Sequence, residues 1–289
     1  MPVYPLIDSH CHLDFEAFDK DRTQVYERAA AVGISDIIIP GTERRYWARI
    51  NRLCENYDNF HACYGLHPYW SKEHSEQDIE ALTQYIQDHH PVAVGECGLD
   101  FRSQMITEPG DKDTQCFFFE AQLEVAAQHS LPVVIHSVRA TETAIKIIKK
   151  FNKLRGMIHS FSGSLEQANQ LIELGFYISL SGGVTYDRAN KLRKVAAQIP
   201  LTSLLLETDA PDQPDQNNSG KRNEPGILIN TLDTLDDLRQ ESRQRIAEQP
   251  TANAKALFGL KTFLNCTPVQ IIRLLSNNLL TRGLYTSLS

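Results

Sequence analysis

Two histidines stand two residues apart near the start of the chain, in Leu6-Ile7-Asp8-Ser9-His10-Cys11-His12. Imidazole is the side chain most often used to hold a transition metal. Read as a strand over Leu6 to His10, the run puts His10 and His12 on one face and turns Cys11 away. Two ligands rarely hold an ion by themselves, and later apolar runs supply more donors: Glu96 after Val92-Ala93-Val94-Gly95, His136 after Pro132-Val133-Val134-Ile135, His159 after Met157-Ile158, and Asp209 after Leu204-Leu205-Leu206-Glu207-Thr208. Taken singly, each histidine reads as a hydrogen-bonded structural residue and each acid as a cap on the next helix. Six together read differently, because burying so many ionisable groups without compensating charge is costly and divalent cations satisfy all of them. Six donors exceed the three protein ligands of a tetrahedral catalytic zinc, and they suit two ions with a carboxylate between them. Ions roughly 3.5 to 4 Å apart clamp the attacking and leaving oxygens of a displacement, and bound water can be acidified to a pKa of about 7.

These donors meet only if the segments that carry them are neighbours in one sheet. The pattern predicts strands at Leu6 to His10, Ser35 to Gly41, Phe60 to Gly65, Val92 to Glu96, Pro132 to His136, Met157 to Ser160, Phe176 to Leu180 and Ser203 to Glu207. Between them fall stretches with helical spacing: Asp19 to Gly33, Arg44 to Tyr57, Ser75 to His89, Asp113 to Ser130, Thr141 to Phe151, Leu165 to Leu174 and Tyr186 to Gln198, with a closing helical region from Ile227 to Phe258. Continuous apolar strands alternating with amphipathic helices mean a parallel sheet covered by helices. Eight such units favour an α/β fold in one domain, the TIM (β/α)8 barrel, whose sites lie at the carboxyl ends of the strands. An open doubly wound sheet is the alternative. Asp212 to Glu224 is polar and rich in turn residues, as a long loop after the eighth strand would be. The barrel is expected to span residues 1 to 260, with 261 to 289 a weakly packed tail; Ile271, Ile272, Leu274, Leu275 and Leu279 have the spacing of one extra helix.

Composition limits the function. A chain of 289 residues with 42% hydrophobic residues can bury a large core. Its net charge of −7, which becomes −10 without the basic tail, disfavours a broad grip on duplex nucleic acid. Short or single-stranded substrates remain open, since bound cations bring local positive charge. The six cysteines form no C-x-x-C pair, which fits a reducing compartment better than a disulfide framework. No signal-peptide pattern or bilayer-spanning run is present, and the expectation is a cytoplasmic protein, a monomer with no obligate protein partner and no membrane.

The motifs resemble one family, the TatD-type metal-dependent hydrolases, reputed deoxyribonucleases within the amidohydrolase superfamily. The likeness covers residues 6 to 260: D-x-H-x-H at Asp8 to His12, G-x-H-P at Gly65 to Pro68, G-E-C-G-L-D at Gly95 to Asp100, I-H-S-F-S-G at Ile158 to Gly163, E-T-D-A-P at Glu207 to Pro211, G-K-R-N-E-P at Gly220 to Pro225 and N-A-K-A-L-F-G at Asn253 to Gly259. The resemblance implies His10, His12 and Asp209 on one metal, His136 and His159 on the other, and Glu96 bridging them. It also implies that Asp209 helps to deprotonate the nucleophilic water. His67 and Arg222 resemble the family's contacts to substrate phosphate, although a turn histidine and a salt bridge to Glu224 explain them as well. The family often has Arg two residues after the fifth-strand histidine, where this chain has Val138 followed by Arg139.

The expected activity is therefore divalent-metal hydrolysis of a phosphoester, DNA ends or single strands by family likeness. Zinc suits the imidazoles, while magnesium or manganese suits phosphate chemistry. One rival is a hydrolase of small amides or lactones, and the other is a non-enzymatic metal-binding protein. Phe117 to Phe119 read as core rather than a base-stacking platform, Gly182-Gly183 equally as a close backbone approach to a ligand or a tight turn, and His89-His90 as a helix end.

Overall fold

The computed structural model describes residues 3–260. Its eight strands are β1 Leu6–Asp8, β2 Ile34–Pro40, β3 Phe60–Tyr64, β4 Ala93–Asp100, β5 Val133–Val138, β6 Gly156–Ile158, β7 Phe176–Leu180 and β8 Leu204–Leu206. The helices are α1 Arg22–Ala31, α2 Arg44–Asn56, α3 Glu76–His89, α4 Asp111–Gln128, α5 Thr141–Ile148, α6 Leu165–Glu173, α7 Asn190–Gln198, α8 Leu228–Leu238 and α9 Arg243–Phe258. Neighbouring strands pair in parallel and in chain order from β1 to β8. Strands buried on both faces need apolar side chains on both, and Ile37, Ile38, Ile39, Val133, Val134, Ile135, Leu204 and Leu205 are all fully buried.

The ends of this sheet meet. Just beyond the strands, the Ser9 N–H donates to Leu206 O (3.0 Å), the Asp209 N–H to His10 O (2.9 Å) and the His12 N–H to Ala210 O (2.8 Å). Asp8 ties the same seam, accepting the Thr208 N–H (2.9 Å) and hydroxyl (2.5 Å). A doubly wound sheet would leave β1 and β8 as separate edges, so the topology is that of the (β/α)8 barrel. From below, α9 latches both strands: Asn253 donates to Leu201 O and Leu204 O (2.9 and 2.8 Å), and the Thr251 hydroxyl donates to Pro5 O (2.9 Å).

Several boundaries differ from those expected, and three of the differences bear on how the site is held. β1 stops at Asp8, so His10 and His12 lie past the ladder, where the chain is pinned alternately to β8 and, through the Cys11 N–H and Ile38 O (3.0 Å), to β2. β4 does not end at Glu96 but continues to Asp100, pairing with β5. The closing helical region is two helices, because Arg239 is extended and Ser242 starts a new helix by accepting the Arg245 N–H (3.3 Å). The tail expected over 261 to 289, its extra-helix pattern and Cys266 lie outside the described residues. The five described cysteines are unpaired, and none of the described helices is long and apolar enough to cross a membrane.

Two buried glutamines on α4, seven residues apart and so on one helix face, hold the rim. Gln122 accepts the Leu66 N–H (2.7 Å) and donates to Leu66 O (3.0 Å), while Gln115 accepts the Asp100 N–H (2.8 Å) and donates to Asp100 O (3.0 Å). Each thus fixes backbone beside a site residue. Gln122→Ala should destabilise the protein by about 1–3 kcal/mol, since it strands a buried donor and acceptor, and Gln122→Met should not restore it although it refills the volume. Urea unfolding measures both, and a Met variant as stable as the parent would show that the amide pair contributes nothing.

Candidate metal centre

Six donors from five places in the chain converge at the carboxyl rim. Glu96 is their hub, and its two oxygens face different ways. Oε2 lies 3.3 Å from His10 Nε2 and 3.4 Å from His12 Nε2. Oε1 lies 2.8 Å from His159 Nε2, 3.0 Å from His136 Nδ1 and 3.1 Å from His67 Nε2. Asp209 joins the first group, with Oδ1 at 3.4 Å from His10 Nε2 and 3.6 Å from His12 Nε2. Glycine makes this approach possible. A Cβ on Gly65 would sit 2.6 Å from the Gly95 carbonyl carbon, and one on Gly98, whose φ is +136°, would sit 2.0 Å from His136 O.

The inward nitrogens are crowded in a way that calls for cations. His10 Nε2 and His12 Nε2 are 3.2 Å apart, and His136 Nδ1 and His159 Nε2 are 3.0 Å apart. Each pair can share one proton at most, and otherwise two lone pairs face each other. His10 and His12 with Glu96 have one donor atom each close enough together for a single ion, and so do His67, Glu96 and His136. A set of imidazole nitrogens and carboxylate oxygens suits a divalent transition metal.

The electrostatics agree with that donor set. Burial opposes ionisation of Glu96, but the facing His67, His159 and His10 outweigh it and hold the carboxyl well below the usual range. Burial likewise opposes charge on His159, yet Glu96 and Glu207 raise it well above an ordinary imidazole. His10 is lowered by its burial and by the neighbouring His159.

A family model described as TatD related DNase matches residues 7–259. The chain belongs to the TatD family. The uncharacterised metal-dependent hydrolase YjjV of Escherichia coli K12 is 39% identical over 257 residues, covering 88% of this chain and 98% of that protein. The crystal structure of YjjV, described as a TatD homolog, matches with a TM-score of 0.83 at 38% identity, covering 89% of this chain and 98% of that one. The 3'-5' ssDNA/RNA exonuclease TatD of Citrobacter rodentium is 32% identical over 262 residues, covering 88% of this chain and 98% of that protein.

Of the two residues expected at substrate phosphate, His67 faces the centre and Arg222 does not. His67 caps a 3-10 turn at Pro68–Trp70, its Nδ1 accepting the Tyr69 N–H (3.0 Å). When neutral it therefore carries its proton on Nε2 and presents it to Glu96. Burial lowers its pKa to about 4, so neutral is its state near pH 7. Arg222 is engaged elsewhere. It donates to Asp21 (2.6 and 2.8 Å), Glu224 (2.8 Å) and Ala17 O (2.7 Å), and lies over the Phe18 ring, so its donors serve the loop rather than the centre. The loop itself is folded back by the buried Asn223, which donates to Thr208 O and Asp212 O (2.8 Å each). Phe118 and Phe119 are core, whereas Phe117 is exposed. Gly182 begins a 3-10 turn and lies so close to the 213–215 backbone that a Cβ would collide with it.

Three residues beyond the expected set surround the donor cluster. Asp100 Oδ2 lies 3.4 Å from the outward Nε2 of His136, and Glu207 Oε1 lies 3.5 Å from the outward Nδ1 of His159. Both contacts are longer than a hydrogen bond but place carboxylates where metal-ligating histidines are usually oriented. Gln213 donates to Asp209 Oδ2 and accepts from the hydroxyls of Ser160 (2.5 Å) and Ser181 (3.0 Å). Asp100 and Glu207 were within sight, as members of G-E-C-G-L-D and E-T-D-A-P. Gln213 carried no signal, being one polar residue in a polar loop.

Proposed function

We propose that this TatD-family chain is a divalent-metal-dependent phosphodiesterase that hydrolyses DNA at ends or in single strands. The observation that carries the reading is the division of Glu96: one oxygen for His10 and His12, the other for His136 and His159. That division suits two ions, one held by His10, His12 and Asp209, the other by His136 and His159, with Glu96 shared. When bound, the ions supply Lewis acidity toward phosphoryl oxygens and acidify a water. Zinc is the ion this imidazole-rich set would retain, while magnesium or manganese also serves phosphate chemistry.

The protein's own groups do the rest. Asp209 takes the proton of the attacking water, its second oxygen held by Gln213. His67, neutral with its proton on Nε2, donates toward the phosphate when substrate displaces its bond to Glu96. The net charge of −7 leaves little to grip a duplex backbone. The unpaired cysteines support a cytoplasmic setting, and a monomer suffices because the donors cited all come from one chain.

The test is hydrolysis by chelator-stripped protein reloaded with zinc, magnesium or manganese, on single-stranded and duplex DNA and on a panel of cyclic amides and lactones. Cleavage of single strands that returns with metal is the expected result. Turnover confined to amides or lactones would overturn the assignment, and binding of metal with no turnover of any ester would make this a non-enzymatic metal-binding protein.

Metal loading should also release protons. Burial opposes charge on His12, but Glu96, Asp209 and Asp14 outweigh it and raise its pKa to about 9. An incoming ion must displace that proton at neutral pH, so apparent affinity should climb as pH rises toward 9. Titration calorimetry in two buffers of different ionisation heat should give different apparent enthalpies, and identical heats would contradict the displacement.

A further inference from the structure

Among the described residues, three large apolar side chains stand exposed: Val3, Tyr69 and Phe117. Val3 precedes β1, at the end of the barrel away from the site, and Phe117 lies on α4. Tyr69 is different. It is 54% exposed and sits on the 3-10 turn whose cap, His67, reaches 3.1 Å from Glu96. Ring contacts run outward along this turn without a break: His136 to His67 at 4.5 Å between centroids, His67 to Trp70 at 5.6 Å, and Trp70 to Tyr69 at 4.9 Å. On the opposite flank Phe15 stacks on His12 at 4.5 Å. The centre is thus bordered by aromatic surface.

Several basic side chains nearby are already paired, although Arg139, directly after β5, is exposed. Arg102 is bonded to Asp100, Lys72 lies 3.1 Å from Asp111, and Arg222 holds Asp21 and Glu224. A strand bound here thus meets few free basic side chains beyond the ions at the centre, Arg139 being one. Its bases are a further handle, and an aromatic face accepts any unpaired base by stacking, while a base inside a duplex is already stacked.

We propose that Tyr69 and Trp70 form a stacking surface for an unpaired base of a single strand whose phosphate lies at the metal centre. This rests on the phosphodiesterase reading and adds to it the basis of single-strand preference. Recognition at Tyr69 and Trp70 is tolerant of sequence, since every base has a π-face.

The two tryptophans of the chain make the test direct, because Trp47 is buried and Trp70 is partly exposed. The metal-loaded protein is titrated with a short single-stranded phosphorothioate oligodeoxynucleotide, which resists cleavage, and with the same strand made abasic at its terminal positions. The base-bearing strand should quench tryptophan fluorescence saturably, and Trp70→Phe should abolish the quenching. Tyr69→Ala should weaken the base-bearing strand roughly five- to a hundredfold, more than the abasic one, and Tyr69→Phe should restore it. No quenching, or equal weakening of both strands, would overturn the stacking surface. Quenching without metal-dependent cleavage of the unmodified strand would instead sink the phosphodiesterase reading and leave the stacking surface standing.

Discussion

Glu96→Ala protein, dialysed against zinc and then washed, should hold well under one ion per chain and should hydrolyse single-stranded DNA roughly a thousandfold or more slowly. The size follows from removing a preorganised charge from a buried centre, which costs about a hundred- to a thousandfold even for a single donor. Glu96 is more than one donor. Its Oε2 serves His10 and His12, and its Oε1 serves His136 and His159, so both proposed ions lose a ligand in one change. The buried imidazoles also lose the carboxylate that balances a bound cation. Elemental analysis reads the outcome, and two ions still bound to Glu96→Ala would contradict the bridging role.

Asp209→Asn should behave in the opposite proportion, losing turnover by about a hundred- to ten-thousandfold, the range for a positioned general base, while keeping most of its metal. Asn is isosteric, so Gln213 keeps a polar neighbour, and His10, His12 and Glu96 remain to hold an ion. An amide cannot take the proton of water. Measuring kcat beside metal content separates the roles: unchanged hydrolysis removes the role of base, and parallel loss of ion and turnover reduces Asp209 to a ligand.

The barrel was legible because its strands are apolar runs buried on both faces, and the helices between them carry a period near 3.6. The donor set was legible for the same reason, since a lone polar residue at the end of such a run stands out. Glu96, His136 and His159 are of this kind, whereas His10 and His12 stood out by their spacing and Asp209 only as part of E-T-D-A-P. What stayed hidden depends on contacts that only the closed chain creates. Gln115 and Gln122 look like ordinary helix residues until α4 meets the rim, and Gln213 is one polar residue among many. Arg222 was ambiguous in sequence, where a basic residue beside Glu224 fits phosphate or carboxylate equally. Asp21, far away in the chain, decides its placement. Strand ends moved because hydrogen bonds, not hydrophobicity, define them; thus β1 ends before its histidines and β4 runs beyond its glutamate.

The most direct measurement is anomalous scattering from crystals of the zinc-loaded protein. Two peaks should appear, one among His10, His12, Glu96 and Asp209, and the other among Glu96, His136 and His159. A single peak, or metal bound only at a place that Glu96 does not touch, would contradict the two-ion centre.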